Sequence, residues 1–517
     1  MAINGSVSAA SQLYGTRRLM GDARLMGQTS TWVTDPLDDW QREGRTAAAF
    51  AMNLVQTDAY CCALLLAEIQ LTHGASGLRF RSHYQADDST QVTDAELQAR
   101  DAINRVTARS HRGTWFDASR LLTRVQFERQ IDAMAIVTGD GFAVRQFKPG
   151  RNRAPYATCW RILDPFRVKN PGGVEWASPP EDYDGDRAPA GERIWNGIGL
   201  DDDDQPAALW IEMPQRDGSR KVRWMRVAWF SDDGVQNVIH RFDSLRPGQI
   251  RGFSAYLPIF TTARHLQGTS EAHVVAKRAQ ACHPLMYRSS DERVAAAFQQ
   301  ANAMLGPHTR MGPGQTVFLG ADGELDLPSW QYQGDDFSKH VESQVRAMSA
   351  ARGLPWQFVL AQLTNANLAS SRAAMDQAER RAETRQNDHI AQVSEILDES
   401  IIVEAIARRQ LGNVVSRQRA IEGDYTRPRG WITDRLKEAN ADKIDLELGI
   451  SPSRIHERRG LDFRAEIRRA EQDHAYAEKH GIDVGTLPNA GQPAPEDTPP
   501  EPDDEPVNGK APDNDAA

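Results

Sequence analysis

Residues 240–252 read His240-Arg241-Phe242-Asp243-Ser244-Leu245-Arg246-Pro247-Gly248-Gln249-Ile250-Arg251-Gly252, and at this stretch the chain changes character. His240 to Phe242 closes an extended run, Pro247-Gly248 makes a turn, and Gly252 bounds the start of a helix. Upstream, between Ala135 and Arg241, short β-type runs alternate with turns: AIVTGDGFAVRQF, ATCWRIL, AALWIEM, KVRWMRVAWF and NVIHRF. Gly139-Asp140-Gly141 lies between two such runs and predicts a hairpin. Downstream, Tyr256 to about Cys282 carries Leu257, Phe260, Ala263 and Leu266 at helical spacing, with Pro258 tolerated in the first turn. The stretch therefore joins a mixed sheet region to a long helix, and the expected fold class is α+β, predominantly helical.

Further out, Ala47 to His73 predicts a helix stopped by Gly74 and followed by a strand at Leu78 to Ser82; Asp94 to His111 and Trp115 to Met134 predict two more helices. After the long helix, His283 to Asp335 reads as an insertion, with one short helix at Asp291 to Ala303 and strand signals at Gln315 to Leu319 and Leu325 to Leu327. Helix resumes at Phe337, where Phe337, Val341, Val345 and Met348 form a stripe up to Arg352, and Gly353-Leu354-Pro355 ends it. A long helical segment from Ser370 to about Gln410 carries Ile390, Val393, Leu397, Ile401 and Glu404 on one face. An ordinary globular helix averages about 11–12 residues, and a much longer one usually serves an assembly. Trp431 to Gly481 is helical again, with stops at Gly449-Ile450-Ser451-Pro452 and Gly460. The first 45 residues predict an extended arm, and the stretch from Pro488 is Pro-rich, acidic and too poor in apolar groups to order itself.

The 517 residues exceed what a single core usually organises, so several regions are expected. No apolar run is long enough to cross a bilayer, and Met1 to Met20 has no export pattern, so assembly in a cytoplasm is expected. Of the net charge of −10, the tail contributes −7, from eight carboxylates against Lys510, leaving −3 for the rest. A near-neutral body argues against gripping nucleic acid but is compatible with letting it slide past. Cys61, Cys62, Cys159 and Cys282 have no metal spacing and are expected to be reduced. Gly312-Pro313-Gly314-Gln315-Thr316 lacks the lysine of a phosphate loop, and no serine-hydrolase or zinc-peptidase signature occurs. Asp201 to Asp204 reads as a solvated turn rather than a cation site, and His265 and His273, eight apart on one helix, read as packing or interface residues. No catalytic residue, metal or cofactor is expected.

The stretch 240–252 resembles the H-x-F-x-x-x-R-P-G-Q-x-R-G passage of the lambda-type portal family of tailed bacteriophages, carried here by His240, Arg246, Pro247, Gly248, Gln249, Arg251 and Gly252. Gly353-Leu354-Pro355-Trp356, with Asn365, Asn367 and Ser370-Ser371-Arg372-Ala373-Ala374, is similar to a second family pattern, although Trp356-Gln357 and Leu368-Ala369 stand where the family more often has Tyr-Glu and Tyr-Ser. A weaker third match runs from Gly430 through Lys437-Glu438-Ala439-Asn440 to Gly460. The resemblance implies a homo-oligomeric ring of about twelve copies with wing, stem, clip and crown regions. On this chain it implies an arm at 1–45, a wing at 46–255, stem helices at 256–282 and 336–352 around a clip at 283–335, and a tunnel loop at 353–369. A long wing helix and return at 370–428, a crown at 429–485 and a disordered tail at 486–517 would follow. It implies a virion location at one capsid vertex and docking of the terminase large subunit, the major capsid or scaffold protein and the head–tail connector. Double-stranded DNA would pass without sequence-specific contact, touched by Gln362, Asn365 and Asn367 on the loop and by Lys339 or Arg346 on the stem. Pairing of Lys339 and Arg346 with Glu342 or a neighbour's acids is an equal reading. Two rivals remain: another virion component such as a connector or minor capsid protein, and a packaging nuclease-ATPase, which the missing phosphate loop disfavours.

Overall fold

In the computed structural model the described residues are 36–86, 92–173, 176–213, 222–281, 285–288, four positions between 293 and 300, 316–319, 334–360, 368–412, 414, 416–428, 435–461 and 463–480. The chain divides into two compact units, one ending at Leu461 and one beginning at Asp462. Of the second unit, the described part is a helix, Phe463–His480. The boundary falls inside the stretch 429–485 assigned above to one region.

Helix begins earlier than the expected arm allows. Pro36–Asp39 and the wide turn Trp40–Gly44 lead straight into α1 (Arg45–Thr57). The reason is Trp40, which is buried and donates from Nε1 to Gly252 O at 2.8 Å. The single helix expected from Ala47 to His73 is broken at Asp58, which has extended backbone and accepts from Cys61 N to cap α2 (Ala59–His73), so that the chain bends by 98°. Among the described residues no single helix is long and apolar enough to cross a membrane.

α3 (Asp94–Ser110) and α4 (Arg124–Thr138) both start with reciprocal capping, Thr93 with Glu96 and Thr123 with Gln126. The second of these corrects the expected helix from Trp115. Residues 111–123 are instead a turn built on Asp117, whose carboxylate accepts from Ser119 N, Leu121 N and Leu122 N. The hairpin expected at Gly139 is also corrected: α4 runs through Ala135 to Thr138, and Gly139 ends it at φ +96°. After β1 (Arg79–Ser82), β2 (Asp140–Phe147) pairs antiparallel with β3 (Thr158–Leu163) and with β10 (Val238–Phe242), in register Phe242 to Asp140 and Phe142 to Leu163. Between β3 and β10 lies a six-stranded sheet of β4 (Trp176–Ala177), β5 (Asp184–Gly185), β6 (Arg193–Trp195), β7 (Ile198–Leu200), β8 (Pro206–Met213) and β9 (Arg223–Ala228), in the order 4-6-7-8-9-5.

The long helix is α5 (Phe260–Ala281), entered through a tight turn at Leu257–Ile259, and it packs beside α6 (Gly334–Arg352). Between them, β11 (Leu285–Arg288) and β12 (Thr316–Leu319) pair in parallel. The remaining strand signal, the 361–367 loop and the tail lie outside the described residues, and so does most of the insertion's expected helix. α7 (Trp356–Leu360) precedes α8 (Leu368–His389), which continues through a π turn (Ile390–Ser394) into α9 (Glu395–Ala407), nearly the length read from the sequence. A short helix, Arg417–Ile421, leads to a strand at Gly423–Thr426 that returns to pair with Arg79–Ser82, and helices Arg435–Glu447 and Pro452–Arg458 follow.

Three apolar clusters explain how these parts hold together. Ile103, Phe127, Trp160, Leu397 and Ile401 pack α3, α4, the three-stranded sheet and α9. Leu64, Tyr256, Phe260, Val345, Met348 and Leu354 seat the roots of α5 and α6 on α1 and α2. Trp40, Phe142, Trp195, Leu209 and Val238 join the two sheets. Burying a side chain of this size contributes roughly 1.5–3 kcal/mol, so each cluster is strong, but apolar contact alone leaves the angle between the parts loosely specified. Polar groups set it.

Candidate functional site

The stretch 240–252 folds as a joint around one buried carboxylate. Asp140 sits at the start of β2, opposite Phe242 on β10. Its Oδ1 meets His240 Nε2 at 2.8 Å and accepts from Gly252 N at 2.8 Å; its Oδ2 accepts from Arg251 Nε at 2.8 Å. Arg251 also donates to Asn196 O at 2.7 Å and lies over the rings of Trp40 and Phe142 at 4.4 and 5.0 Å. Burial opposes ionisation of Asp140, but Arg251 and His240 outweigh it and hold its pKa below the usual carboxylate range. Burial likewise pushes His240 down, and its ring stacks between Phe142 and Phe242.

Pro247-Gly248 makes the expected turn, with Gly248 at φ +79° and Gln249 N donating to Arg246 O. Gln249 closes it from within, accepting from Leu245 N at 3.0 Å and donating to Arg251 O at 2.8 Å. Arg246 pairs with Asp39 at 3.0 Å. Gly252 is required for space: a Cβ there would run into the carbonyl of Gly139.

A second buried ionic layer lies beside the first. Arg241, next to His240, faces Asp132 of α4 at 3.5 Å and Asp243 at 2.6 Å. Arg385 of α8 reaches Asp132 at 3.1 Å and Glu68 of α2 at 3.2 Å. Arg352, the last residue of α6, clasps Glu68 at 2.6 and 3.2 Å. Arg124 of α4 similarly holds Glu128 at 2.8 Å and Asp398 of α9. Burial opposes ionisation of Asp132, yet Arg385, His389 and His73 keep its pKa well below the ordinary range. The sequence stretches at 240–252, at the end of α6 and along α8 therefore meet in one dry ionic core.

A family model described as phage portal protein, lambda family, matches residues 22–386. The chain belongs to the lambda family of phage portal proteins. It is thus a structural component of a phage-type virion. No curated protein matches the chain. Among solved structures, one titled "Neck of native GTA particle computed with C12 symmetry" is similar at 12% identity, covering 86% of this chain and 99% of the other, with a TM-score of 0.38. Another, "Virion of native gene transfer agent (GTA) particle", has the same identity and coverage and a TM-score of 0.37. At that level the likeness is too weak to speak to fold or assembly.

In this portal chain His240, Gln249, Arg251 and Gly252 of the first motif are buried, Arg246 is half-buried, and Pro247 and Gly248 form an exposed turn. Of the second, Pro355 is buried beside Leu354, whereas Ser371 and Arg372 fall on α8 with side chains outside the described residues. Gln362, Asn365 and Asn367 also lie outside the described residues. On α6, Lys339 is exposed. Arg346 pairs with Glu342 at 2.5 Å and lies over the Trp356 ring at 4.6 Å, which is the pairing weighed from sequence against DNA contact. His273 stacks on Phe337 at 4.0 Å, while His265 is exposed. The acids at 201–204 serve a turn, with Asp201 Oδ1 accepting from Asp203 N and Gln205 N and Asp204 pairing with Arg193. Cys61 and Cys159 are buried free thiols and Cys62 a half-buried one; Cys282 lies outside the described residues.

Asp140, Glu68, Asp132 and Arg385 carry the site without having been singled out from sequence. Asp140 was visible only as a turn residue. Glu68 and Asp132 sit among apolar neighbours on α2 and α4 and Arg385 among polar ones on α8, and a charged residue on a helix is a weak signal without the partner that neutralises it.

Proposed function

We propose that this chain is a portal subunit that closes into a ring of about twelve copies at one capsid vertex, through which double-stranded DNA enters during packaging and leaves on ejection. The ring docks the terminase large subunit during filling, then the head–tail connector, and contacts the major capsid or scaffold protein at its wing. The subunit contributes geometry rather than catalysis. Residues 46–255 and 370–428 form the wing, α5 and α6 the stem, 283–335 the clip, and 429–485 the crown. The 353–369 segment, beyond its buried Leu354 and Pro355 and the short α7, faces DNA, with contact to the phosphate backbone alone.

The observation carrying this reading is that Arg241 and Arg251 of the 240–252 motif, Arg352 at the end of α6 and Arg385 of α8 all meet buried carboxylates beside the roots of α5 and α6. A conduit under packaging load needs its channel-lining helices held at a set angle to its outer body, and buried, mutually neutralised charges resist the sliding that apolar contact permits. Negative-stain images of the purified full-length protein test it: rings with a central hole are expected, and a monodisperse monomer under assembly conditions would overturn it. Bulky residues in place of Asn365 and Asn367 are expected to reduce DNA packaging while rings persist.

A further inference from the structure

His73 ends α2, Asp132 lies mid-way along α4 and His389 ends α8, and all three side chains are fully buried. One ligand atom from each lies within 4.8 Å of the others. Neither ring nitrogen of either histidine has a hydrogen-bond partner, and neither does Asp132 Oδ2. The two rings meet edge to face, with centroids 4.5 Å apart. Asp132 Oδ1 is occupied by Arg385, so the free oxygen is the one turned toward His73 Nε2 at 3.4 Å. Four ring nitrogens and one carboxylate oxygen left without hydrogen-bond partners at one place is an expensive arrangement for a buried interior.

We propose that His73, Asp132 and His389 form a structural site for a divalent transition-metal ion of the zinc class. A tetrahedral zinc site with bonds of about 2.0–2.1 Å separates its ligand atoms by about 3.3 Å. The His73–Asp132 spacing of 3.4 Å is already such an edge, and the remaining approaches, within 4.8 Å, need to close by up to about 1.5 Å. Two imidazoles and one carboxylate suit zinc, cobalt or nickel, whereas magnesium and calcium prefer oxygen. Burial and the neighbouring His73 hold His389 down to about 3, so its lone pair is free at neutral pH.

The surrounding charge admits a cation. Glu68, Glu128, Asp132, Asp243 and Asp398 face Arg124, Arg241, Arg352 and Arg385, so five carboxylates meet four guanidiniums and one negative charge is left over. Glu128, one turn before Asp132, adds another buried oxygen without a partner. The π turn Ile390–Ser394 begins immediately after His389, and such wide turns are frequent at functional sites. A bound ion would tie α2, α4 and α8 together beside the joint described above. The three ligands come from helices far apart in sequence, so no spacing rule could reveal them.

The test uses the full-length protein stripped with chelator and reloaded with Co2+ or Zn2+. One tightly held ion per chain is expected, with the intense visible absorption of tetrahedral Co2+ and a Zn2+-dependent rise in melting temperature that chelator reverses. His73→Gln and His389→Gln should each lose that ion, while His83→Gln, at an exposed histidine, should retain it. Absence of bound ion in the wild type, or only the weak absorption of octahedral Co2+, would overturn the site even if the buried variants fail to fold. Undiminished stoichiometry in folded His389→Gln would do so as well.

Discussion

Replacing Asp140 by alanine is expected to cost about 3–5 kcal/mol of stability, the range for removing one partner from a buried ion pair. The carboxylate is 1% exposed and accepts from Arg251 and Gly252 at 2.8 Å each while meeting His240 at the same distance. Its loss leaves Arg251, 2% exposed, with two carbonyl partners and two aromatic faces but no counter-charge. It also strands the Gly252 N–H, a penalty of about 1–3 kcal/mol when no water replaces the acceptor. Arg251→Met removes the charge while keeping much of the stem against Trp40. Combined with Asp140→Ala it should recover part of the loss, giving a coupling energy of about 2 kcal/mol in a double-mutant cycle. Urea denaturation at fixed protein concentration measures this, because assembly shifts apparent stability by mass action. A loss below about 1 kcal/mol, or additivity within about 0.5 kcal/mol, would refute the idea that the joint depends on this carboxylate.

Gly252→Ala is expected to prevent correct seating of α5, because its Cβ meets the fixed carbonyl of Gly139; Gly248→Ala, which has open space but φ +79°, should cost only about 1–2 kcal/mol. Parallel thermal melts separate the two. Arg346→Ala should change stability by less than about 1 kcal/mol, since the Glu342 pair is exposed and the Trp356 contact modest; a packaging defect in intact rings would then assign it to DNA. Metal-free protein should lose stability as pH falls. Buried His389, held at about 3, lets the unfolded chain bind a proton first, so the window runs from about 6.5 down to about 3, at up to roughly 1.4 kcal/mol per pH unit. Asp132 and Asp140, both depressed, extend the loss into more acid solution as pH falls through their folded values. A flat stability profile between pH 6.5 and 4 in chelator-treated protein would contradict a neutral buried His389.

The elements themselves were largely legible. The length of α8 with α9, the stripe on α6, the Pro-Gly turn and the runs that became β3, β8, β9 and β10 all follow from local periodicity and turn chemistry, which act within a few residues. Two boundaries fall where a local cue outweighs the periodicity. Thr123 with Gln126 already marks the start of α4, and Gly139 is as good a helix stop as a hairpin residue. The break at Asp58 was also available, since an Asp before an apolar run is a common cap.

The sequence by itself determined the segment order, the family motif and the mixed class, because those rest on residue type and spacing along the chain. What the motif does was decided only in three dimensions. His240 and Arg251 meet an aspartate a hundred residues upstream, and Arg241, Arg352 and Arg385 find Asp132 and Glu68 from three separate elements. The preference of a buried charge for an opposite charge is general, but which charge it meets depends on which elements the fold brings side by side. Tertiary packing therefore turned a turn residue, Asp140, into the hub of the joint and placed two silent histidines within reach of one ion.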